Sequence, residues 1–462
     1  MQIRRLRTLA LLAAALLTGA ALPAAAQGAA SPLSFKIGSF DFTPGGFMDF
    51  TTAFRTTAVG SGIGTNFAAI PFNDTTAGRL TEFRESAQNS RLALKVSGSV
   101  HGNPYYAYVE TDFLGNQPAN VAVSSNSDTL RLRVYFVDGR LGRWEFLAGQ
   151  DWSLLTPNRV GLSPMPADLF ISQNVDANYQ VGLAWARQAQ LRLVYHASPQ
   201  FAAGLSIEQG EPYIGGSAGA AQAVLPGGAS GPYAGQFNNG SSNFSAPGFT
   251  PDIIGKLAYD SAPNGAGLHL EVAGLESEFR AFTPATGTTA HAAGAGLSVN
   301  AIAAITPGFH LIGTTFFGDG GGRYFFGMVP DLVVRQDGAI APLLSQGGIA
   351  GFEANLDSAD LLDFYYGGIY AHPSYDTAAA LVPGGPSPVG YGFAGSPASM
   401  NRSIQEVTLG LNHTFWKSAQ YGAVNLMLQG SYLVRTPFTV AAGAPKNAHT
   451  TMIFADLRYT LP

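Results

Sequence analysis

Cysteine is absent from the 462 residues, so no disulfide framework or thiolate metal site can hold this chain together. At this length a large core or a closed sheet must supply the stability instead. Charge is scarce as well. Asp, Glu, Lys and Arg make up 12% of the chain, about half the share of an ordinary soluble domain, which argues against a soluble enzyme. A basic excess is also missing: 25 Lys and Arg stand against 30 Asp and Glu, for a formal charge of −5, and no nucleic-acid partner is expected. Past the N-terminus no run of about 18 apolar residues occurs, which excludes transmembrane helices. Eight histidines are present, yet no G-x-S-x-G, H-E-x-x-H or metal-spaced His/Asp cluster accompanies them. The scattered Asp residues form no calcium loop. No catalysis, cofactor or metal is expected, and His196 and His413 read as lining or turn-capping residues.

The one continuous apolar stretch is at the start. Arg4, Arg5 and Arg7 precede Leu9 to Leu22, Pro23 breaks the run, and Ala24, Ala25 and Ala26 follow. This is a basic region, a short apolar core and a small-residue cleavage site, so residues 1–26 read as an export signal cut near Gln27. Without its three arginines the formal charge becomes about −8 on roughly 435 residues.

What the rest of the chain has is glycine, aromatics and alternation. Gly accounts for 57 residues and aromatics for 11%. In Leu130 to Val137, Leu130, Leu132, Val134 and Phe136 are expected on one face and Arg131, Arg133 and Tyr135 on the other. The same period of two runs through Arg91 to Ser97, Gln190 to His196, Gly267 to Ala273, Gln405 to His413, Gly422 to Val434 and Thr450 to Leu461, where Asp456 and Arg458 fall on the inner face. In lipid every backbone N–H and C=O must be paired internally, so a spanning sheet has to close on itself, apolar outside and polar inside. The fold class is therefore all-β: a transmembrane antiparallel up-and-down β-barrel.

Strands are expected near 46–55, 85–97, 104–113, 129–138, 144–151, 184–196, 201–208, 252–260, 267–278, 291–304, 309–317, 349–356, 361–371, 405–415, 422–434 and 450–461, about sixteen in all. Residues 27–45 are left as a short periplasmic segment, and 46–462 as one barrel domain. The connections alternate in length. Tight ones fall at Gly98 to Asn103, Gly139 to Arg143, Ala197 to Gln200, Ser261 to Gly265, Thr306 to Gly308, Asp357 to Asp360 and Lys417 to Tyr421. Long ones fall at 56–84, 114–128, 152–183, 209–251, 279–290, 318–348, 372–404 and 435–449. Short periplasmic turns and long surface loops give this parity, and a β-sandwich has no reason to. The Gly, Pro, Ser and Asn clusters at 215–251 and 382–399 are then loops rather than linkers. Trp144, Trp152, Trp185 and Trp416 lie near strand ends, where an amphipathic ring suits the headgroup level; lumen or loop packing is the alternative for Trp152 and Trp185.

By parity Arg91, Lys95, Arg131, Arg133 and Arg192 face inward, with Arg55 and Arg187 as additions, and Glu110 and Asp112 lie between them. A row of cations in a narrow passage concentrates anions. The plainer reading is that Glu110 and Asp112 neutralise the arginines across the sheet.

Asn89-Ser90-Arg91-Leu92-Ala93-Leu94-Lys95-Val96, Tyr108-Val109-Glu110-Thr111-Asp112-Phe113, Leu130-Arg131-Leu132-Arg133 and Leu147-Ala148-Gly149-Gln150-Asp151-Trp152-Ser153 occur in an order and spacing that resembles the DcaP-like trimeric porins of the bacterial outer membrane. The resemblance covers residues 85 to about 196, and beyond that only the rhythm of strands and loops supports it. It differs in two places: about twenty residues precede the first strand where members often carry a coiled coil, and the chain ends in Leu461-Pro462 where an aromatic is usual, leaving Tyr459 as the aromatic nearest the end. The resemblance implies an outer-membrane homotrimer, set in lipid and lipopolysaccharide by the barrel assembly machinery, that passes small polar and in particular anionic, carboxylate-type solutes. By analogy with general porins the third long connection, 152–183, folds into the lumen as the constriction, and its Asp151, Asp168 and Asp176 either face the arginine wall across the eyelet or cap turns. A general diffusion pore without ion preference and a surface structural or adhesive barrel are the alternatives.

Overall fold

The computed structural model describes residues 31–115, 128–216, 220–240, 246–248, 250–262, 267–376 and 388–462. The expected export signal, and part of the expected loops 114–128, 209–251 and 372–404, lie outside the described residues. The described chain is one closed antiparallel barrel of sixteen strands. In chain order these are β1 (Phe40–Arg55), β2 (Arg91–Val100), β3 (Asn103–Asp112), β4 (Arg131–Leu141), β5 (Trp144–Trp152), β6 (Arg187–His196), β7 (Phe201–Glu208), β8 (Asp252–Asp260), β9 (Leu268–Thr283), β10 (Thr288–Thr306), β11 (Phe309–Asp319), β12 (Leu344–Asn355), β13 (Asp360–Ala371), β14 (Asn401–Ser418), β15 (Gly422–Pro437) and β16 (Ala448–Thr460). Each pairs with its neighbours in sequence, and β16 closes on β1 from Phe47 opposite Thr460 to Arg55 opposite Met452.

The expected alternation carries this wall. In β8, Asp252, Ile254, Lys256, Ala258 and Asp260 are buried inside, while Ile253 and Leu257 are exposed outside. In β16, Met452, Phe454 and Asp456 point in, and Ile453 and Leu457 point out. Rows of exposed Leu, Ile, Val and Phe on successive strands make an apolar outer surface of the kind a bilayer covers. Trp144 stacks on Tyr195, Trp416 meets Tyr459, and both tryptophans sit on the outer surface beside tight turns.

Four expectations need correction. The first strand begins at Phe40 rather than near residue 46, because the short strand Phe35–Ile37 pairs with Phe40 to Phe42 along the part of β1 that β16 does not reach. The expected strand 85–97 is broken: Glu82–Ser86 pairs with the far half of β1 and β2 with the near half. The connection 279–290 is mostly ladder, since β9 and β10 stay paired out to Thr283 opposite Thr288. In β4 a bulge places Arg133 between the pairs Thr111–Leu132 and Glu110–Val134. The bulge reverses the parity of everything after it. Val134 and Phe136, expected in lipid, are buried inside, where Phe136 meets the rings of Tyr106 and Tyr108, and Tyr135 and Val137 are exposed outside.

At the end carrying the long connections, described loop segments pack on one another and on the wall. Ile214, Leu225, Tyr233 and Phe237 pack on Phe279, Leu332 and Val334, and Val224 bridges to Gly390. Residues 320–343 turn inward, where Tyr324 and Phe325 are fully buried and Arg323 is ion-paired with Asp252 and Asp331. Among the described residues no helix is long and apolar enough to cross a membrane.

Candidate functional site

The connection between β5 and β6 does fold into the lumen, and the residues that hold it there explain its path. Pro157, Pro164 and Pro166 remove ladder donors, so this stretch cannot continue the sheet. Its buried backbone N–H groups need other acceptors, and wall side chains supply them. Leu154 N–H donates to Glu208 at 2.8 Å, Asn158 to Glu271 at 3.1 Å and Gly161 to Asp260 at 3.0 Å. Gln173 donates to the Tyr365 hydroxyl at 3.2 Å, Val175 and Asp176 to Gln429 Oε1 at 2.5 and 3.1 Å, and Val181 to Glu406 at 3.0 Å. Arg159 adds a two-pronged bond to Glu353 at 2.7 and 2.8 Å, and Tyr365 donates to the same carboxylate at 2.6 Å. Where the loop passes β13 the wall is glycine. A Cβ on Gly367 would overlap the Val181 carbonyl, and one on Gly182 would overlap that of Gly348.

The loop therefore lies over the wall from β7 to β15, whose inward carboxylates face its backbone. Between the loop and the opposite wall remains a cavity of about 220 Å³. Its charged lining is Arg91, Arg159 and Arg458, with Asp176 the acidic residue among them. Arg91 and Arg458 lie over one ring, that of Phe47, at 5.1 and 4.0 Å. The carboxylates paired with these arginines sit behind them: Arg91, Arg159 and Arg458 side chains keep 17%, 24% and 19% exposure, against 7%, 5% and 0% for Glu110, Glu353 and both Asp49 and Asp456.

The other expected cations are placed differently. Arg133 is enclosed, donating to Glu110 at 2.6 Å, to Asp112 at 2.7 Å and to the Tyr179 hydroxyl at 3.0 Å. Arg131 grips the same Asp112 at 3.0 and 2.7 Å. Asp112 thus lies between Arg131 and Arg133, and Glu110 between Arg133 and Arg91. Arg192 is buried, 3.2 Å from Asp151, and donates to the Trp152 carbonyl. Lys95 rests on the Tyr106 ring at 4.7 Å. Arg187 stacks on Trp152 at 5.4 Å with one terminal nitrogen unpartnered. Arg55 has no exposed surface: it pairs with Glu82 at 2.6 Å and holds the carbonyls of Gly62 and Ile63, so it ties down the first loop and faces no lumen water.

Asp151 belongs to β5 rather than to the loop, and its partner is Arg192. Asp168 accepts from Ser163 Oγ at 2.7 Å, and Asp176 from the N–H groups of Thr65 and Asn178 at 3.1 and 2.9 Å. Asp176 caps a turn and also lines the cavity, while Asp168 ties the loop to Ser163. Trp152 and Trp185 are inside with Tyr179, not at a headgroup level. His196 and His413 are each 2.8 Å from a carboxylate, Glu145 and Asp360, near tight turns.

Arg159 and Tyr179 had no signal in the sequence, since both sit in a loop without periodicity; Arg458 was legible as inward but not as lining. Tyr179 has φ +67° and is held there by its N–H to the Asp176 carbonyl at 2.9 Å and its carbonyl to Asn174 at 2.7 Å. Burial pushes its phenol up, but the guanidiniums of Arg133, Arg91 and Arg187 outweigh that and bring it down to about 8. Among the described residues no cluster of His, Asp and Glu could hold a metal ion.

No family model matches the chain, and no curated protein matches it in sequence. Among solved structures, the outer membrane channel DcaP of Acinetobacter baumannii matches with a TM-score of 0.65 at 15% identity, over 91% of this chain and 97% of that one. An anion-selective porin from Comamonas acidovorans gives 0.48 at 13% identity, over 91% and 99%. OmpT of Vibrio cholerae gives 0.48 at 10%, over 92% and 99%. The likeness to the DcaP channel is one of fold, and it extends the resemblance read from residues 85–196 to the whole barrel: the chain has the architecture of a sixteen-stranded porin, with its fifth and sixth strands joined through the lumen.

Proposed function

We propose that the chain is an outer-membrane channel, exported by residues 1–26, that lets small hydrophilic solutes diffuse and favours anions of the carboxylate type. One observation carries the preference. Along the cavity the side chains of Arg91, Arg159 and Arg458 keep part of their surface while their carboxylates are more deeply buried, and on the other side the loop covers the acidic wall. At a one-to-one pair such as Arg159–Glu353, a solute anion about 6 Å from the guanidinium and about 9 Å from the carboxylate gains about 1 kcal/mol at an effective dielectric of 20, roughly fivefold in local concentration. A cation loses as much. The homotrimer, and assembly into lipid and lipopolysaccharide by the barrel assembly machinery, rest on the family resemblance.

The test is the reversal potential of the refolded protein in planar bilayers under a salt gradient, with Arg91→Gln beside it. Arg91 is the variant of choice because Glu110 keeps Arg133 as a partner. Three equal conductance steps, an anion-biased potential and a reduced bias in the variant are expected. Steps without bias leave a general diffusion pore. Absence of conductance overturns the channel and revives a surface structural role.

A further inference from the structure

The outer face of the barrel is not evenly covered. In one ladder row across β3, β4 and β5, Gly139 stands between Tyr105 and Phe146; in the next row Ala148 stands between Val137 and Leu191. Gly139 brings no side chain and Ala148 only a methyl, whereas Val137, Phe146 and Leu191 are exposed around them. The result is a groove of about 680 Å³ on the outside of the wall, apolar along its length. Its polar lining is confined to the end at the tight turns, where Asn103 and Arg140 stand. Arg192, on the same wall, turns its charge inward to Asp151.

Arg140 faces Glu145 across the ladder, but its guanidinium does not engage that carboxylate. Glu145 is held by His196 at 2.8 Å, and Arg140 Nε donates to the Gly142 carbonyl at 3.2 Å, at the tip of the turn. Among the described residues Arg140 makes no ion pair. Arg143 adds a second guanidinium to the same turn, against the Ala197 carbonyl at 3.0 Å. Of the tight turns, Gly139 to Arg143 is the one with two basic residues and no acidic one. Trp144, exposed with its ring 4.6 Å from that of Tyr195, sets this end at the level of lipid headgroups. We infer that the groove holds one anionic phospholipid, its acyl chain against Gly139 and Ala148 and its phosphate at Arg140 and Asn103. At ~30 Å³ for a group the size of water, the groove takes on the order of twenty such groups, which is the size of an acyl chain and not of a free phosphate. A zwitterionic lipid brings the same chain but balances its own phosphate, so the unpaired guanidinium discriminates between headgroups.

The site uses nothing in the lumen, so its test is separate from that of ion selectivity. Trp152 and Trp185 lie inside the barrel, and Trp416→Phe therefore leaves Trp144 as the tryptophan that lipid can touch. That variant is refolded in phosphatidylcholine vesicles with increasing fractions of either phosphatidylglycerol or phosphatidylcholine brominated near the head of the acyl chains, and quenching of Trp144 fluorescence is read. One arginine at a membrane surface favours an anionic lipid roughly fivefold, so half-maximal quenching should need about one fifth as much brominated phosphatidylglycerol as brominated phosphatidylcholine. Arg140→Gln should remove most of that difference, Arg140→Lys should keep it, and Ala148→Phe, which fills the groove from outside the core, should weaken it. Equal curves for the two lipids overturn the inference, the groove then taking bulk lipid. A difference that survives Arg140→Gln, or one that Ala148→Phe leaves intact, overturns the assignment to this groove. Absence of quenching by either lipid overturns it as well, since a second copy of the chain then covers this face.

Discussion

Replacing Gln429 by leucine tests whether the wall holds the constriction loop by its backbone. Gln429 lies on β15, is 3% exposed and accepts two loop N–H groups, from Val175 at 2.5 Å and Asp176 at 3.1 Å. Leucine approaches glutamine in size and has no acceptor, so the substitution removes both bonds without changing charge. It also strands two buried donors, each costing about 1–3 kcal/mol when unpaired. The docked loop therefore loses about 2 kcal/mol at least, roughly thirtyfold in the ratio of docked to released states. Single-channel recording should find frequent excursions to a larger conductance in Gln429→Leu. Gln429→Glu, which keeps an acceptor at the same place, should have far fewer. If the leucine variant, refolded as a heat-modifiable barrel, gates as quietly as the unaltered protein, the backbone bonds do not hold the loop.

Two further outcomes follow from the charged residues. Tyr179 becomes a phenolate as pH rises through about 8, which adds a negative charge beside Arg91 and Arg133; anion bias should therefore fall between pH 7 and pH 9, and Tyr179→Phe should flatten that profile. Because its folded value lies below the ordinary phenol value of 10, Tyr179 also contributes stability that is full above pH 10 and lost as pH falls through about 8, which urea titration of barrel unfolding at several pH values can follow. Arg192→Gln should leave the reversal potential unchanged, since Arg192 is buried against Asp151; a shift as large as that of Arg91→Gln would refute the placement of the selectivity at the cavity.

The barrel was legible because its rule is local. Lipid outside and water inside impose a period of two on every strand, and the parity of loop lengths follows from one end facing the cell surface. The rule failed where geometry is not periodic. The bulge at Arg133 leaves no mark in the sequence, because Val134, Tyr135, Phe136 and Val137 after it suit either parity until Asp138. The ladder from Thr283 to Thr288 looked like a loop because Thr, Gly and Ala are compatible with both. Within the site, inward parity identified Arg91 and Arg131, but parity does not measure depth. Arg55, Arg133 and Arg192 point inward and yet meet carboxylates or carbonyls rather than solvent. Arg159 faces the cavity from a segment with no pattern at all, placed by Glu353 on a strand far away in sequence.

The loop does two jobs at once, and that makes its release informative. Under it lie Glu208, Asp260, Glu271, Glu353 and Glu406, with Lys256 and His269 among them, and the loop backbone spends its donors on that side. Opposite, the cavity presents arginines. On the proposed reading, the narrow passage and the anion preference are consequences of one docked segment rather than separate properties. Gly367→Val would force a branched side chain into the Val181 carbonyl, where neither partner is the flexible end of a side chain, and would lift the loop off β13. Widening alone would raise conductance and dilute the bias toward zero. Uncovering carboxylates predicts more: the reversal potential of Gly367→Val should move past zero to the cation side at low salt, and return toward zero as ionic strength rises and screens the wall. A wider pore that stays anion-biased would mean that the arginine face acts alone, and that the covered carboxylates serve only to hold the loop.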